Sequence, residues 1–191
     1  MLTPDKLYSL EQYHRIRGAF RAKAMAHKAL RLVPLGPHAS LHFEDELTML
    51  YQVQEMIRLE RMYEPELIQD ELDVYNPLIP DGANWKATLM IEYADPEERK
   101  RALARLIGFE KQVWTQVGDC ARVTPIANED LERSTAEKTS AVHFLRFELT
   151  PEMVAAAKQG ASIRVGVDHP GYKAETLLPQ ATRQSLVADL I

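Results

Sequence analysis

An α+β fold, with a helical N-terminal half packed on an antiparallel or mixed β-sheet formed mainly by the C-terminal half, follows from three observations on this 191-residue sequence. Apolar residues recur at helical spacing through most of residues 1–80, whereas period-two alternation prevails over residues 81–191. Connections between successive strand-like runs are short, which suits antiparallel pairing better than the long crossovers that parallel strands need. No Gly-rich phosphate loop occurs in either half, so the dinucleotide-binding and P-loop folds are set aside. A single domain over residues 1–191 is expected, since a chain this long buries roughly 70% of its unfolded surface without a staple.

Each element has its own signal. Ser9 followed by Gln12 makes a capping box, which predicts a helix to about Ala29 with Tyr13, Ile16, Phe20, Ala24 and His27 on one face. Residues 30–44 read as two short strands joined by a turn at Gly36-Pro37, with Leu41 and Phe43 alternating with Ser40, His42 and Glu44. His38 sits in that turn and is expected in solvent. Asp45 caps a helix to about Tyr63, and Pro65 opens another that must stop before Asn76-Pro77. Residues 85–93 form a strand. Asp95-Pro96-Glu97-Glu98 starts a helix that Gly108 stops. Residues 111–127 and 141–149 read as strands, Thr150 to Gly160 as a short helix, and residues 162–170 and 172–179 as a strand pair before a C-terminal helix.

Composition narrows the function classes. A hydrophobic fraction of 46% with 27% charged residues is that of an ordinary globular protein. The start carries no apolar run that could act as a signal peptide, and no uncharged stretch approaches membrane-spanning length, so a cytoplasmic protein without membrane contact is expected. The single cysteine, Cys120, excludes an internal disulfide and a CxxC motif, and its alternating apolar neighbours point to a buried strand thiol rather than a nucleophile. No GxSxG or HExxH motif is present.

A net charge of −5 argues against general nucleic-acid binding, but the charge is unevenly placed. Residues Glu11 to Arg31 carry a net +5, and Glu44 to Asp73 a net −8. The two regions are expected to pack side by side with charges paired along their rims. Phosphate binding by Arg15, Arg17, Arg21 and Lys23 would need stacking aromatics or a Gly-rich turn nearby, and that stretch has neither.

Two polar clusters stand out. On a helix starting at Glu46, Thr48, Gln52 and Glu55 share one narrow face of an otherwise apolar segment, where polar groups must find partners or cost about 1–3 kcal/mol each. On the strand leading in, His42 and Glu44 point to one side, and imidazole with carboxylate suits zinc, iron or manganese. If the helix folds back, Glu55 becomes a third ligand of a transition metal. A solvated hairpin face, with the acids favouring the helix N-terminus, is the alternative. The second cluster comprises Lys138, His143, Arg146, Asp168 and His169. His143, Leu145 and Phe147 should share a strand face with Arg146 opposite, while Asp168-His169-Pro170 reads as a turn whose adjacent Asp and His cannot simply form a dyad.

The segments "RLVPLG", "FEDELTMLYQVQEMIRLER", "ELDVYNPLIP" with "ATLMIEY", and "EKTSAVHFLRFEL" with "GVDHPGY" together resemble the uncharacterised bacterial DUF3501 family over nearly the whole chain. What the resemblance implies is genomic company: a rubrerythrin-like di-iron protein and an iron-sulfur oxidoreductase as possible partners, in peroxide or oxidative-stress chemistry. It transfers no catalytic residues. An accessory protein working by protein-protein contact is therefore the first expectation, with an apolar patch or a charged face such as the basic helix as its docking surface. A small metal-dependent redox or hydrolytic protein using the His/Glu site is the second.

Overall fold

The structure, a computed structural model, describes residues 1–191, with six α-helices and eight strands. Helix α1 (Leu10–Leu30) starts at the Ser9 capping box, in which Ser9 accepts from the Gln12 amide and Gln12 reaches back to the Ser9 N–H. It buries Tyr13, Phe20 and Ala24 against α2 (Glu46–Glu60). Asp45 caps α2, reciprocated here by Thr48 at the third position. Arg61, in the left-handed conformation, ends that helix three residues earlier than the apolar pattern suggests. Helix α3 (Pro65–Tyr75) begins on its proline, stops before Asn76-Pro77 as expected, and buries Leu72.

The strands form two antiparallel sheets rather than one. Strands β1 (Leu32–Pro34), β2 (Ala39–Glu44), β3 (Asn84–Ile91), β5 (Ile126–Ala127) and β6 (Val142–Glu148) make a sheet in the order β1-β2-β3-β6-β5. Strands β4 (Val113–Val117), β7 (Ile163–His169) and β8 (Tyr172–Leu177) make the second, in the order β4-β7-β8. The N-terminal half thus supplies two strands of the larger sheet, and the segregation of helices from strands is rough. Three further helices complete the chain: α4 (Pro96–Arg105), α5 (Pro151–Lys158) and α6 (Gln180–Val187).

The main core lies among the two sheets, α4, α5 and α6, and includes Phe43, Trp85, Phe109, Phe147, Ile163 and Leu186. Strand β2 is buried on both faces, so its alternation does not separate a core side from a wet side. Trp85 Nε1 donates to the Leu186 carbonyl at 2.9 Å, fastening α6 to the sheet. The β1–β2 turn is held from the other sheet: the Tyr172 hydroxyl donates to Leu35 O at 2.6 Å and accepts from His38 N at 2.9 Å. Gly36, with φ +70°, has no room for a side chain there, since a Cβ would lie 2.7 Å from that hydroxyl. His38 is not the solvent-exposed turn residue the sequence suggests; its ring stacks on Tyr93 with centroids 4.0 Å apart. Cys120 lies in the bend after β4, half-buried, rather than in a strand. No helix is long and apolar enough to cross a membrane.

Candidate functional site

Glu44, at the end of β2, is buried with both carboxylate oxygens occupied: Thr48 Oγ1 donates at 2.6 Å and Thr88 Oγ1 at 2.8 Å. His42 contacts the Ser40 hydroxyl at 3.1 Å, and Ser40 donates onward to Glu92 at 3.0 Å. Burial pushes the His42 imidazole below its ordinary pKa, which favours the neutral form. Glu55 faces α1 instead. It takes the Arg17 guanidinium in a fork at 2.8 and 2.9 Å, the Tyr13 hydroxyl at 2.8 Å and Arg58 at 3.1 Å. The Arg17 bond leads in holding its carboxyl down at about 2.

His42, Glu44 and Glu55 therefore do not converge, because α2 turns Glu55 toward α1 while Glu44 points at hydroxyls. No three His, Cys, Asp or Glu side chains are grouped to hold a metal ion. Arg17–Glu55 realises the expected pairing of the basic and acidic segments, but only between α1 and α2. Thr48 serves the cap and Glu44, and Gln52 is half-buried. Gln54 is the fully buried amide that the helical-face argument missed. It accepts from Tyr8 N at 2.5 Å and donates to Tyr8 O at 3.3 Å, pinning the segment before α1.

The second cluster divides among three places. His143 faces inward with Leu145 and Phe147, as alternation predicts, and is completely buried. Asn128 Oδ1 accepts from Phe144 N at 3.3 Å, which turns its NH2 toward His143 Nδ1 at 3.0 Å. Nδ1 is then the acceptor, and Nε2 carries the proton toward Ser140 O at 3.0 Å and Thr139 Oγ1 at 2.9 Å. A neutral imidazole held this way, its pKa lowered by burial, has no lone pair left for a substrate. Arg146 points outward and forks onto Glu129 at 2.7 and 2.6 Å. Lys138 is exposed in a turn capped by Thr135. Asp168 does not bond its own turn; it pairs with Arg122 at 2.8 Å. The turn is held by His169, whose Nδ1 accepts from Gly171 N at 3.0 Å and whose Nε2 meets Ile107 O at 3.2 Å.

A third ionic centre carries no motif. Arg31, fully buried at the end of α1, donates to Phe43 O and Glu44 O, to Ser185 O in α6, and to Asp189 just after it. His27, one turn earlier, binds Asp45 at 2.5 Å. Burial pushes the Asp189 carboxyl up to about 6, against the opposing pull of Arg31. The partners are 12 to 158 residues away in sequence, so only the i, i+4 spacing of His27 and Arg31 was available to find the centre. An adjoining cleft of about 720 Å³ is lined by His27, Asp45 and Asp189.

The surface feature that remains open is a groove of about 530 Å³ between the end of α3 and the outer face of β3 and β6. Val74 and Leu78 form one wall, Leu131 and Arg133 the other, and Lys86, Phe144 and Arg146 the floor. Val74 is 63% exposed and Leu131 55%. Arg133 lies over the Phe144 ring at 4.6 Å, and Lys86 Nζ donates to Pro77 O, its pKa lowered by burial. Apolar and charged side chains thus line the groove together.

A solved structure described as a novel protein of unknown function from Burkholderia pseudomallei is similar to this chain at 50% sequence identity, with a TM-score of 0.94, covering 100% of this chain and 99% of that one. No curated protein matches. The model of the family described as "Protein of unknown function (DUF3501)" matches residues 1–190, and the chain belongs to that family.

Proposed function

We propose that this protein is an accessory docking protein that acts by protein-protein contact, and that its partner is the rubrerythrin-like di-iron protein or iron-sulfur oxidoreductase implied by the family's genomic company. Oxidative-stress or redox metabolism is the setting this reading assigns. The groove between α3 and β6 is the observation that supports it: exposed Val74 and Leu131 flank a floor of Phe144, Lys86 and Arg146. Exposed apolar side chains grouped in one groove beside charged ones are the kind of surface that binds another protein. Glu44 and both ring nitrogens of His143, by contrast, are occupied by neighbouring side chains and backbone. Beside His143, Glu110 Oε2 is buried 4.0 Å from Nε2 without a hydrogen-bond donor.

The metal-dependent reading has no comparable support, since His42, Glu44 and Glu55 bind separate partners. The test is capture of the purified rubrerythrin-like protein and of the oxidoreductase on immobilised wild-type chain, beside a Val74→Asp/Leu131→Asp variant. Capture by wild type that falls at least about tenfold in the variant supports docking through the groove. Wild-type chain that retains neither protein, at low or high salt, overturns the partner assignment.

A further inference from the structure

Four buried side-chain polar atoms in this molecule have no hydrogen-bond partner: Arg58 Nε, Trp114 Nε1, Glu110 Oε2 and Arg133 Nε. Arg58 and Trp114 are isolated cases, one in α2 and one in β4. The other two belong to residues that line a single cleft of about 350 Å³, beside the groove and on its β5 side. They are of opposite kind, a carboxylate acceptor and a guanidinium donor. A buried polar atom left without a partner is disfavoured by about 1–3 kcal/mol, so two complementary ones in one cleft call for an occupant that answers both.

Glu110 stands in the 3-10 turn Phe109–Lys111 that precedes β4, and its side chain is only 3% exposed. Ser134 Oγ reaches its other oxygen at 3.4 Å, a weak contact. Ser134 is itself engaged by Thr139 at 2.9 Å, and Thr139 by His143 at 2.9 Å. The Nε2 proton of His143 is directed to Thr139 and Ser140, and that nitrogen stays 4.0 Å from Glu110 Oε2. Arg133 does not neutralise Glu110 either; it pairs with Asp130 and lies over the Phe144 ring. At the rim of the cleft Lys111 and Glu132 are exposed and neither has an ion-pair partner. Asn128 also lines the cleft, but its amide is committed to Phe144 N and His143, which makes it a wall.

We infer that this cleft binds a free α-amino acid, with the ammonium group on Glu110 Oε2 and the carboxylate on Arg133 Nε. Glu132 and Lys111 add charge of the matching sign at the rim. A zwitterion is what the two orphaned atoms select: a simple amine leaves the Arg133 donor unmet, and a simple carboxylate brings a second negative charge to Glu110. Both contacts are charge-assisted hydrogen bonds, the stronger kind. The volume lies at the small end of the roughly 300–1,000 Å³ that ligand pockets span, which suits a free amino acid and leaves no room for a nucleotide-sized cofactor. This site does not rest on the docking reading, although Leu131 and Arg133 border both cavities.

The test is isothermal titration of the full chain, without any partner protein, with each of the common amino acids in turn, then with the N-acetyl and the amide derivative of the one that binds most tightly. At least one amino acid is expected to bind, and loss of either its ammonium or its carboxylate charge should weaken binding at least about tenfold. Glu110→Gln keeps the side-chain shape and removes the charge, and should cost at least about tenfold in affinity. Lys111→Glu is a surface change that leaves the fold intact, and it should weaken binding even if Glu110→Gln fails to fold. No heat from any amino acid at millimolar concentration overturns the inference, as does binding that the N-acetyl and amide forms reproduce or that neither variant alters. A crystal structure grown with the tightest amino acid that shows only an ordered water on Glu110 Oε2 overturns it too. Val74 and Leu131 are unchanged throughout, so this result and the capture result are read separately.

Discussion

A carboxylate inside a protein is governed by its donors, and Glu44 and Glu55 show two solutions within 12 residues of sequence. Glu44 has two threonine hydroxyls, whereas Glu55 has a guanidinium fork, a phenol and a second arginine. Thr88→Val should leave one Glu44 oxygen unsatisfied and cost about 1–3 kcal/mol of unfolding free energy in urea titration. An unchanged stability would mean that water replaces the hydroxyl. Glu55 carries a pH signature. Its folded pKa is depressed to about 2, so its contribution is present above the unfolded value and is lost as pH falls from about 4.5 toward 2. Glu55→Gln should remove that part of the acid sensitivity, read as a smaller drop in Tm across the same window. The sequence marked Glu55 as needing partners, whereas Glu44 was expected as a metal ligand or on a solvated face. It could not identify the partners of either, because Arg17 lies 38 residues from Glu55 and Thr88 44 residues from Glu44.

At the scale of elements, legibility followed how local the cause is. Caps and breakers act within four residues, and Ser9, Asp45, Pro65, Asp95 and Thr150 all mark starts where they were expected. Sheet membership is set by pairing over long distances, so nothing in the alternation of residues 111–117 says that β4 joins β7 rather than β6. What decides it is a side-chain fit. Trp114 lies opposite Gly166, and its ring occupies the space a Cβ would take, at 2.2 Å, while Arg122 covers the ring at 3.6 Å. Gly166→Ala must displace the indole, and overpacking of this kind costs about 1–3 kcal/mol or more. Loss of Tm with a red-shifted or broadened Trp emission is expected, whereas an unperturbed variant would show that the β4–β7 pair can separate without penalty.

Across the whole molecule, Arg31 joins what the two halves of the sequence build separately. Its guanidinium reaches the β2–α2 junction, Ser185 within α6 and Asp189 just after that helix, and Asp189 is the carboxylate it binds most closely. Burial dominates at Asp189, whose carboxyl is raised to about 6. The folded state then holds this proton more tightly than the unfolded chain, so its contribution is full below the unfolded value near 4 and is lost as pH rises through about 6. The shift corresponds to about 2 kcal/mol between pH 4 and pH 7. His42 and His143, buried with lowered pKa values, have the opposite slope: they cost stability as pH falls below their ordinary value. A wild-type pH profile sums these terms and can look flat. The difference between wild type and Asp189→Asn isolates one of them, because the amide does not titrate while both histidines remain. That difference should change by about 2 kcal/mol from pH 4 to pH 7, with wild type relatively more stable at the acid end. A difference independent of pH would mean that Arg31 fully offsets the burial of Asp189, making the C-terminal attachment equally strong across this range.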